Sequence, residues 1–293
     1  MVPLVYLAPQ AQNCYVSQVH HKASGPSPVQ SNDTPWQTQT HAEFVDYYAR
    51  QSLTSESRER SQRLRDKLLA FHGEARVPLN IADIGCNAGT QSRVWAELGH
   101  QVYGVDINQE LVQIAHQRLR EADLDVKLQL ASATSLPFRD HSMDICIAPE
   151  LLEHVAEWET CLAEFARILR PGGVLFISTT NRLCPVQNEF SLPVYSWYPK
   201  PLKRHYEHLA VTTRPELANY AAYPAVNWFT YFQLRDFLSA FGMESRDRFD
   251  LMDDNGSPLR RLALAMIRRV PPLRWLAHTL SPSTALFARK VQA

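Results

Sequence analysis

Short apolar runs alternate with amphipathic stretches through the middle of the chain. The runs predict five strands, at residues 79–85, 101–107, 126–132, 143–149 and 173–180. Between them, segments that start near residues 90, 108 and 158 carry apolar residues three and four positions apart, the spacing of one helix face. Strands that alternate with helices form β-α-β units around a parallel sheet. The pattern therefore predicts an α/β fold with a mostly parallel sheet and helices on both faces.

The segments before and after these alternating strands and helices differ from them in composition and periodicity. Residues 1–40 are rich in proline and small polar residues without periodicity, which predicts a loosely ordered arm. Residues 41–78 predict an N-terminal helical cap that contains two amphipathic helices. The main domain is expected to span 79–293. Its proline-broken, aromatic stretch at about 182–230 is too long for a plain connection and predicts an inserted lid.

Further elements are predicted around and after this stretch. Pro171 to Gly173 are expected to end the third helix before the fifth strand begins. A helix is expected at 231–242, a strand near 245–251 and a final strand at 283–290. Residues 259–280 mix apolar side chains with arginines, which favours a buried helix with solvated arginines; contact with a membrane surface is the alternative.

Composition narrows the functional class. The 293 residues are 45% hydrophobic, and 30 Lys and Arg balance 30 Asp and Glu, so neither dominant disorder nor a nucleic-acid partner is expected. The five cysteines are scattered without a C-x-x-C pair, which suits a reducing compartment. No apolar run approaches the roughly 20 residues of a transmembrane helix, and the first residues lack the basic start of a secretory signal. These features predict a cytoplasmic protein without a transmembrane segment.

A glycine-containing loop carries the strongest chemical signal. In IADIGCNAGTQSRVW (81–95), Gly85 and Gly89 lie between a predicted strand and a predicted helix, where a ligand can approach the backbone closely. Asp106 follows Gly85 by 21 residues at the end of the second strand, and its carboxylate can accept hydrogen bonds from both hydroxyls of a ribose. Together these features predict a cofactor that contains a nucleoside.

The same loop discriminates between cofactors. A dinucleotide site favours G-x-G-x-x-G, whereas Asn87 occupies the middle position here and a third glycine is missing. Asp83, two residues before the first glycine, would repel a pyrophosphate but attract the ammonium group of S-adenosyl-L-methionine. We therefore expect S-adenosyl-L-methionine as the cofactor.

Five ordered motifs between residues 79 and 180 carry a family resemblance: DIGCNAGT, VDIN, SATSLPF, DICIAPELLEHV and LRPGGVLFIST. They resemble the motifs of class I S-adenosylmethionine-dependent methyltransferases. The E-x-x-E-H formed by Glu150, Glu153 and His154 is similar to the ubiquinone-pathway O-methyltransferase branch. The resemblance implies a Rossmann-like sheet of seven mostly parallel strands, with helices on both faces and a last strand that runs antiparallel.

The resemblance also implies which residues contact the cofactor. Asp83 and the loop would wrap the methionine and ribose part, Asp106 would hold the ribose hydroxyls, and Ile107 would lie against the adenine. Ser132 stands where the family often has Asp, and Asn87 stands where Gly is frequent. The complete expected set is Asp83, Gly85, Cys86, Asn87, Gly89, Asp106, Ile107, Ser132, Ala133 and Pro149.

His154 is the predicted catalytic residue. It follows the carboxyl end of the fourth strand, and an imidazole with an ordinary pKa of about 6.5 can take a proton from a phenol or alcohol near neutrality. Glu150, Glu153 and His154 at i, i+3 and i+4 would share one helix face and could hold a divalent ion. The alternative is a capping and salt-bridging cluster at a helix start. We expect no metal at this position.

These features predict a methyltransferase of small-molecule biosynthesis that uses S-adenosyl-L-methionine. The expected acceptor is a small apolar or aromatic molecule, methylated most readily at oxygen. Two alternatives are a nicotinamide-dependent oxidoreductase and a catalytically silent binding module that kept the cofactor fold. Binding of NADH in place of S-adenosyl-L-methionine would favour the first alternative, and cofactor binding without turnover would favour the second. No oligomeric state is predicted.

Overall fold

A computed structural model gives the architecture of most of the chain. It describes residues 45, 49–73, 78–187, 189–218, 225–253 and 255–291. The predicted arm at 1–40 lies outside the described residues, and the predicted extent of each domain stays a prediction. Within the described part, no helix is both long and apolar enough to cross a membrane.

A sheet of seven strands forms the centre of the described structure, in the order β3-β2-β1-β4-β5-β7-β6. The strands are β1 (Asn80–Ile84), β2 (Gln101–Asp106), β3 (Val126–Leu130), β4 (Met143–Pro149), β5 (Leu169–Thr180), β6 (Met243–Asp247) and β7 (Ser283–Lys290). Strands β1 to β5 pair in parallel, whereas β7 pairs antiparallel with both β5 and β6. The predicted Rossmann-like sheet, including its antiparallel last strand, is confirmed.

Burial explains why the central strands are rich in apolar residues. In β1, β4 and β5 consecutive residues are buried, because helices cover both faces of the sheet. One apolar core cluster includes Phe165, Leu234 and Leu286, and another includes Leu68 and Trp95. The edge strand β3 is mostly exposed. The sheet therefore presents a rigid row of strand ends to the loops that follow β1, β2, β4 and β5.

The helices that follow the first, second and fourth strands and the helix before β6 begin and end close to the predicted positions. The described α-helices are α1 (Ser55–His72), α2 (Thr90–Ala96), α3 (Gln109–Glu121), α4 (Trp158–Ile168), α5 (Lys200–Thr212), α6 (Tyr231–Ser239), α7 (Pro258–Arg269) and α8 (Pro271–Thr279). Helix α3 starts where the side chain of Asn108 accepts a hydrogen bond from the Leu111 N–H. Helix α1 ends at Gly73 in a left-handed conformation. These are ordinary helix caps formed by local sequence.

The start of β5 differs from the prediction. The strand begins at Leu169, so Pro171 to Gly173 lie inside it instead of separating it from α4. Its pairing with β4 shifts register between Met143 and Ile145. A Cβ on Gly173 would lie 2.9 Å from the Arg170 carbonyl oxygen, so the close backbone approach at this irregularity requires glycine.

The N-terminal helix packs against the sheet domain. Of the two helices predicted in 41–78, the structure describes α1, whose Leu68 is fully buried in the core cluster with Trp95. The Arg58 guanidinium reaches Glu97 just after α2, at 2.8 Å. Before α1, the Ser52 hydroxyl and the Ala49 carbonyl both accept hydrogen bonds from the Arg118 guanidinium of α3. This segment is therefore attached to the helices that flank the glycine-containing loop.

The stretch 182–230 forms short helical pieces with a core of their own. Besides α5, it contains 3₁₀ turns at Tyr195–Trp197 and Pro215–Ala218. Phe190 stacks on Tyr195 with ring centroids 4.0 Å apart, and the Trp228 ring packs edge-on against Tyr195. These aromatic side chains are buried against one another. Whether the stretch closes over the sheet as a lid stays a prediction.

The expectation of one buried helix at 259–280 is wrong. The segment forms two helices, α7 and α8, because Pro271 and Pro272 interrupt the first and are well suited to the first turn of the second. Leu264 and His278 are the buried residues of the pair. Most other apolar side chains of the segment are exposed.

Candidate cofactor and acceptor site

The loop between β1 and α2 is folded against the end of β2. The backbone N–H groups of Gly85 and Cys86 both donate to the Val105 carbonyl, at 2.8 and 3.0 Å. Gly85 and Gly89 have φ angles of 72° and 84°, in the left-handed region that favours glycine. A Cβ on Gly89 would lie 3.0 Å from the Ala115 Cβ of α3. Both glycines are therefore needed to shape the loop.

Asp106 links this loop to the start of α3. Its Oδ2 accepts the Asn87 N–H and its Oδ1 accepts the Asn108 N–H, each at 2.9 Å. Asn87 itself has a φ of 51°, a conformation that Asn tolerates better than most residues. Burial raises the pKa of Asp106, while the backbone N–H donors oppose this change. The carboxylate still has lone pairs for further donors, as the predicted ribose contact requires.

Asp83 lies beneath the loop and is fully buried. One carboxylate oxygen accepts the Ser92 hydroxyl at 2.6 Å. The other is buried and has no hydrogen-bond partner among the described residues. Burial raises the pKa of Asp83 to about 6; the Ser92 hydrogen bond lowers it, and the nearby Asp106 charge raises it. An acidic group with one unsatisfied oxygen thus lies under the cofactor loop.

Cys86 contributes mainly packing. Its side chain is buried in an apolar cluster with Leu119 and Leu128. Burial first, then the charges of Asp83 and Asp106, raises the pKa of the thiol well above its usual range. The thiol is therefore protonated and unreactive at neutral pH. The predicted contact of Cys86 with the cofactor would be made by its backbone.

The predicted adenine residues gather beside Asp106. The Ala131 N–H donates to the Asp106 carbonyl at 3.0 Å, which brings the end of β3 next to the end of β2. Ser132 is exposed, and its hydroxyl lies 2.7 Å from that of Thr134. Ile107 is 43% exposed, so an apolar side chain is available to a ligand at this edge, and Ala133 lies buried behind it. Their roles toward adenine stay predictions.

The E-x-x-E-H segment does not form one helix face. After Pro149 at the end of β4, Glu150 takes a left-handed φ of 52°, and its N–H donates to the Ser178 carbonyl at 2.7 Å. Only the short 3₁₀ turn Leu152–His154 follows. Because Glu150 precedes the turn and is not helical, the i, i+3, i+4 geometry expected for these residues is wrong.

The two glutamates have different surroundings. Glu150 is exposed and forms an ion pair with Arg60 of α1. Glu153 is 2% exposed, and its Oε2 accepts the Thr179 hydroxyl at 2.8 Å. Burial raises the pKa of Glu153 well above its usual range. Within the part of the chain that the structure describes, no group of three or more His, Cys, Asp or Glu residues could hold a metal ion.

Asn227 fixes the turn that carries His154. Its side-chain amide donates to the Leu152 carbonyl at 3.1 Å and to the Val155 carbonyl at 2.6 Å. Its backbone N–H and that of Val226 both donate to the Glu153 carbonyl. Sequence reasoning missed this residue because the contact joins positions 72 residues apart, in a segment without regular periodicity. The half-buried His154 thus lies on a turn fixed from the far end of the 182–230 stretch.

Glu189 is a second residue that sequence reasoning missed. It is half-buried, and burial followed by the charge of Glu150 raises its pKa to about 7. Its charge in turn affects Glu153, so three carboxyl groups influence one another near the ends of β4 and β5. One sequence feature could have indicated it: Glu189 is the only acidic residue between positions 182 and 206.

Comparison with known proteins agrees with this geometry. Residues 82–177 match the family described as methyltransferase domain. These residues form a methyltransferase domain. This domain includes the glycine-containing loop, Asp106 and His154, the residues that the structure places along one edge of the sheet.

The methyltransferase domain also has curated relatives. It is 36% identical over 104 residues to the ubiquinone biosynthesis O-methyltransferase of Bartonella quintana, a match that covers 36% of this chain and 42% of that protein. The protein of the same name from Chelativorans is 31% identical over 125 residues, which cover 41% of this chain and 49% of the relative. The matches therefore span less than half the length of these relatives.

Two solved structures share the fold of the methyltransferase domain and its surroundings. A putative sarcosine dimethylglycine methyltransferase from Galdieria sulphuraria superposes with a TM-score of 0.52 at 16% identity, covering 79% of this chain and 86% of that one. The PH0226 protein from Pyrococcus horikoshii gives a TM-score of 0.51 at 14% identity, covering 82% and 93%.

Proposed function

We propose that the chain transfers the methyl group of S-adenosyl-L-methionine to a hydroxyl oxygen of a small apolar or aromatic molecule. The observation that carries the proposal is the placement of Asp106. Its carboxylate lies at the end of β2 and is held by the Asn87 and Asn108 N–H groups, beside the loop of a methyltransferase domain. A carboxylate held in this way can accept both ribose hydroxyls of a nucleoside.

The residues beneath the loop fit a cationic cofactor. Asp83 keeps one buried carboxylate oxygen without a hydrogen-bond partner in the described structure, and leaving such an oxygen unsatisfied is costly. A positively charged ligand above the loop would stabilise the ionised form of Asp83, which burial disfavours. A pyrophosphate would instead add negative charge close to Asp83 and Asp106. These charges favour S-adenosyl-L-methionine over a nicotinamide dinucleotide.

The chemistry needs little from the protein beyond alignment and proton transfer. When bound, the cofactor supplies a sulfonium methyl group, an electrophile that is already activated. A C–S bond breaks as a C–O bond forms, and the acceptor hydroxyl loses its proton. We assign that proton to the His154 imidazole, which lies on the Asn227-fixed turn at the end of β4. No metal is assigned to this step.

The acceptor is assigned to the side of the site bounded by the 182–230 stretch. Oxygen is favoured because the curated relatives are named ubiquinone biosynthesis O-methyltransferases. We propose that this stretch acts as the lid that excludes water from the transfer. Its aromatic side chains Phe190, Tyr195 and Trp228 pack into a hydrophobic core within the stretch. Glu189, which is half-buried and near enough to Glu150 for that charge to raise its pKa, is a candidate contact to an acceptor hydroxyl.

Labelled methyl transfer tests the proposal. The protein is incubated with S-adenosyl-L-methionine carrying an isotopically labelled methyl group and with a small-molecule extract, and the products are analysed by mass spectrometry. We expect a labelled product that retains the methyl group as a methyl ether. Labelling at nitrogen or carbon would contradict the assignment to oxygen. Cofactor binding without transfer across broad acceptor panels would favour a silent binding module.

A further inference from the structure

The helix pair α7–α8 displays an apolar surface that no described part of the chain covers. On α7, Leu259, Leu262 and Met266 recur at i, i+3 and i+7, the spacing of one helix face, and Val270 directly follows the helix. Their exposed fractions are 76%, 59%, 45% and 37%. An apolar helix face normally packs toward a core, so this arrangement needs an occupant.

Apolar side chains on and directly after α8 are exposed as well. Trp275, Leu276 and Leu280 are 51%, 47% and 73% exposed. The two helices contact each other, and only Leu264 and His278 anchor them as buried side chains. We use the name α7–α8 face for the exposed apolar residues of both helices: Leu259, Leu262, Met266, Val270, Trp275, Leu276 and Leu280.

The charged side chains of the two helices themselves are all basic. The chain as a whole is neutral, yet residues 258–280 contain five arginines and no Asp or Glu. Arg261 and Arg269 are exposed, and Arg269 is seven residues after Leu262, at the border of the apolar stripe. Long arginine side chains can lie along an apolar surface while their charge reaches the polar layer above it. The face therefore combines an apolar layer with a positive border.

The remaining arginines hold the helix pair in a fixed position. Arg268 donates to the Phe249 carbonyl at 2.9 Å, and Arg274 donates to the buried Asp247 at 2.7 Å. The Asn181 amide, just after β5, donates to the His278 carbonyl at 2.8 Å. The pair joins the end of β6 to the start of β7, beside the end of β5. It thus lies at the same sheet edge as the cofactor loop.

We propose that the α7–α8 face binds the surface of a bilayer that contains anionic lipid. A lipid interface offers an apolar layer beneath a negatively charged headgroup layer, and an amphipathic helix with basic flanks matches both layers. The tryptophan is also of the type enriched at such interfaces. The bound helices would lie in the plane of the interface. This proposal does not depend on methyl transfer.

Vesicle co-sedimentation with the full chain tests the proposal. Vesicles of equal parts phosphatidylcholine and phosphatidylglycerol are compared with vesicles of phosphatidylcholine alone. We expect binding to the mixed vesicles at low salt, weaker binding at high salt and little binding to the uncharged ones. The double variant Leu259→Ser/Leu262→Ser should weaken binding by roughly tenfold or more, because it removes apolar area from the interface.

A matched control variant tests whether any loss of vesicle binding is specific to this face. It removes two exposed leucines from elsewhere on the protein. Leu53 and Leu98 are 66% and 45% exposed and lie outside residues 258–280, so Leu53→Ser/Leu98→Ser should bind vesicles like the wild type. The double variant Arg261→Gln/Arg269→Gln should lose roughly tenfold at low salt and less at high salt. It retains all apolar residues of the face and therefore tests the proposal even if the serine variant folds poorly.

Three results would overturn the proposal. Wild-type protein that fails to bind the mixed vesicles is the first. Equal loss of binding in the Leu53→Ser/Leu98→Ser control is the second. The third combines two observations: the wild type does not bind vesicles, and it forms a dimer in analytical ultracentrifugation that the Leu259→Ser/Leu262→Ser variant does not form. The face would then pair two copies of the chain.

Discussion

Replacing Asp106 by alanine removes the carboxylate that connects the cofactor loop to the proposed ribose site. In the structure its two oxygens accept the Asn87 and Asn108 N–H groups at 2.9 Å, which fixes the carboxylate plane at the end of β2. The same oxygens are expected to accept the two ribose hydroxyls. The variant should therefore bind S-adenosyl-L-methionine weakly.

The size of the effect follows from these hydrogen bonds. A hydrogen bond to a charged group contributes about 1.5–3 kcal/mol, so two ribose contacts correspond to about 3–6 kcal/mol. Because about 1.4 kcal/mol changes a dissociation constant tenfold, affinity should fall by roughly 10²- to 10⁴-fold. The lost loop contact adds a cost at Asn108, which is buried and whose N–H loses its acceptor, whereas water can reach the half-buried Asn87 after the substitution.

Calorimetry with two ligands separates the ribose contact from the loop contact. Wild type and Asp106→Ala are titrated with S-adenosylhomocysteine and with its 2′-deoxy analogue. The variant should lose more affinity for the ligand that has both hydroxyls. Toward the deoxy analogue, which keeps one of the two hydroxyls, the binding free energies of the two proteins should differ by about half as much. An equal loss for both ligands would refute a direct ribose contact and assign Asp106 to loop shape alone.

Three further changes have distinct expected outcomes. His154→Ala should keep cofactor affinity and lower the methyl-transfer rate by roughly 10²- to 10⁴-fold, measured as labelled product, because the proton acceptor is lost. Cofactor affinity should fall as pH is lowered through about 6, where Asp83 takes up a proton and can no longer attract the ammonium group. Gly104→Ala should lower the free energy of unfolding by about 1–3 kcal/mol in urea, since the new Cβ would lie 2.5 Å from Leu128 Cδ2.

Each of these changes has a control. His154→Gln keeps a hydrogen-bonding group without a usable base, and a rate equal to the wild type would remove His154 from the proton transfer. Asp83→Asn should bind the cofactor weakly with a flat profile near pH 6, and an unchanged profile would assign the titration to another group. An unfolding midpoint for Gly104→Ala equal to the wild type would mean that the Leu128 side chain moves aside at no cost.

The regular part of the fold was predictable because burial dictates composition. Strands covered on both faces are rich in apolar residues, and the predicted boundaries of β1 and β4 match the structure closely. The cofactor loop was also predictable, since Gly85, Gly89 and Asp106 act through short-range backbone geometry. The geometry of this loop was thus visible in local sequence.

The acceptor side was less predictable because tertiary contacts determine it. The left-handed Glu150 is held by its hydrogen bond to the neighbouring strand at Ser178, which no helical spacing reveals. The contacts of Asn227 depend on a chain reversal that has no periodic signal. The sequence predicts that residues 259–280 are buried, because apolar residues usually lie in the interior. In the structure, the apolar side chains of the α7–α8 face are exposed.

Calorimetric titration of the intact chain with S-adenosyl-L-methionine and, separately, with NADH tests the central claim most directly. The carboxylates at the ends of β1 and β2 predict saturable binding of the sulfonium cofactor and no heat with the dinucleotide. Heat with NADH together with none for S-adenosyl-L-methionine would contradict the assignment of this edge to methyl transfer.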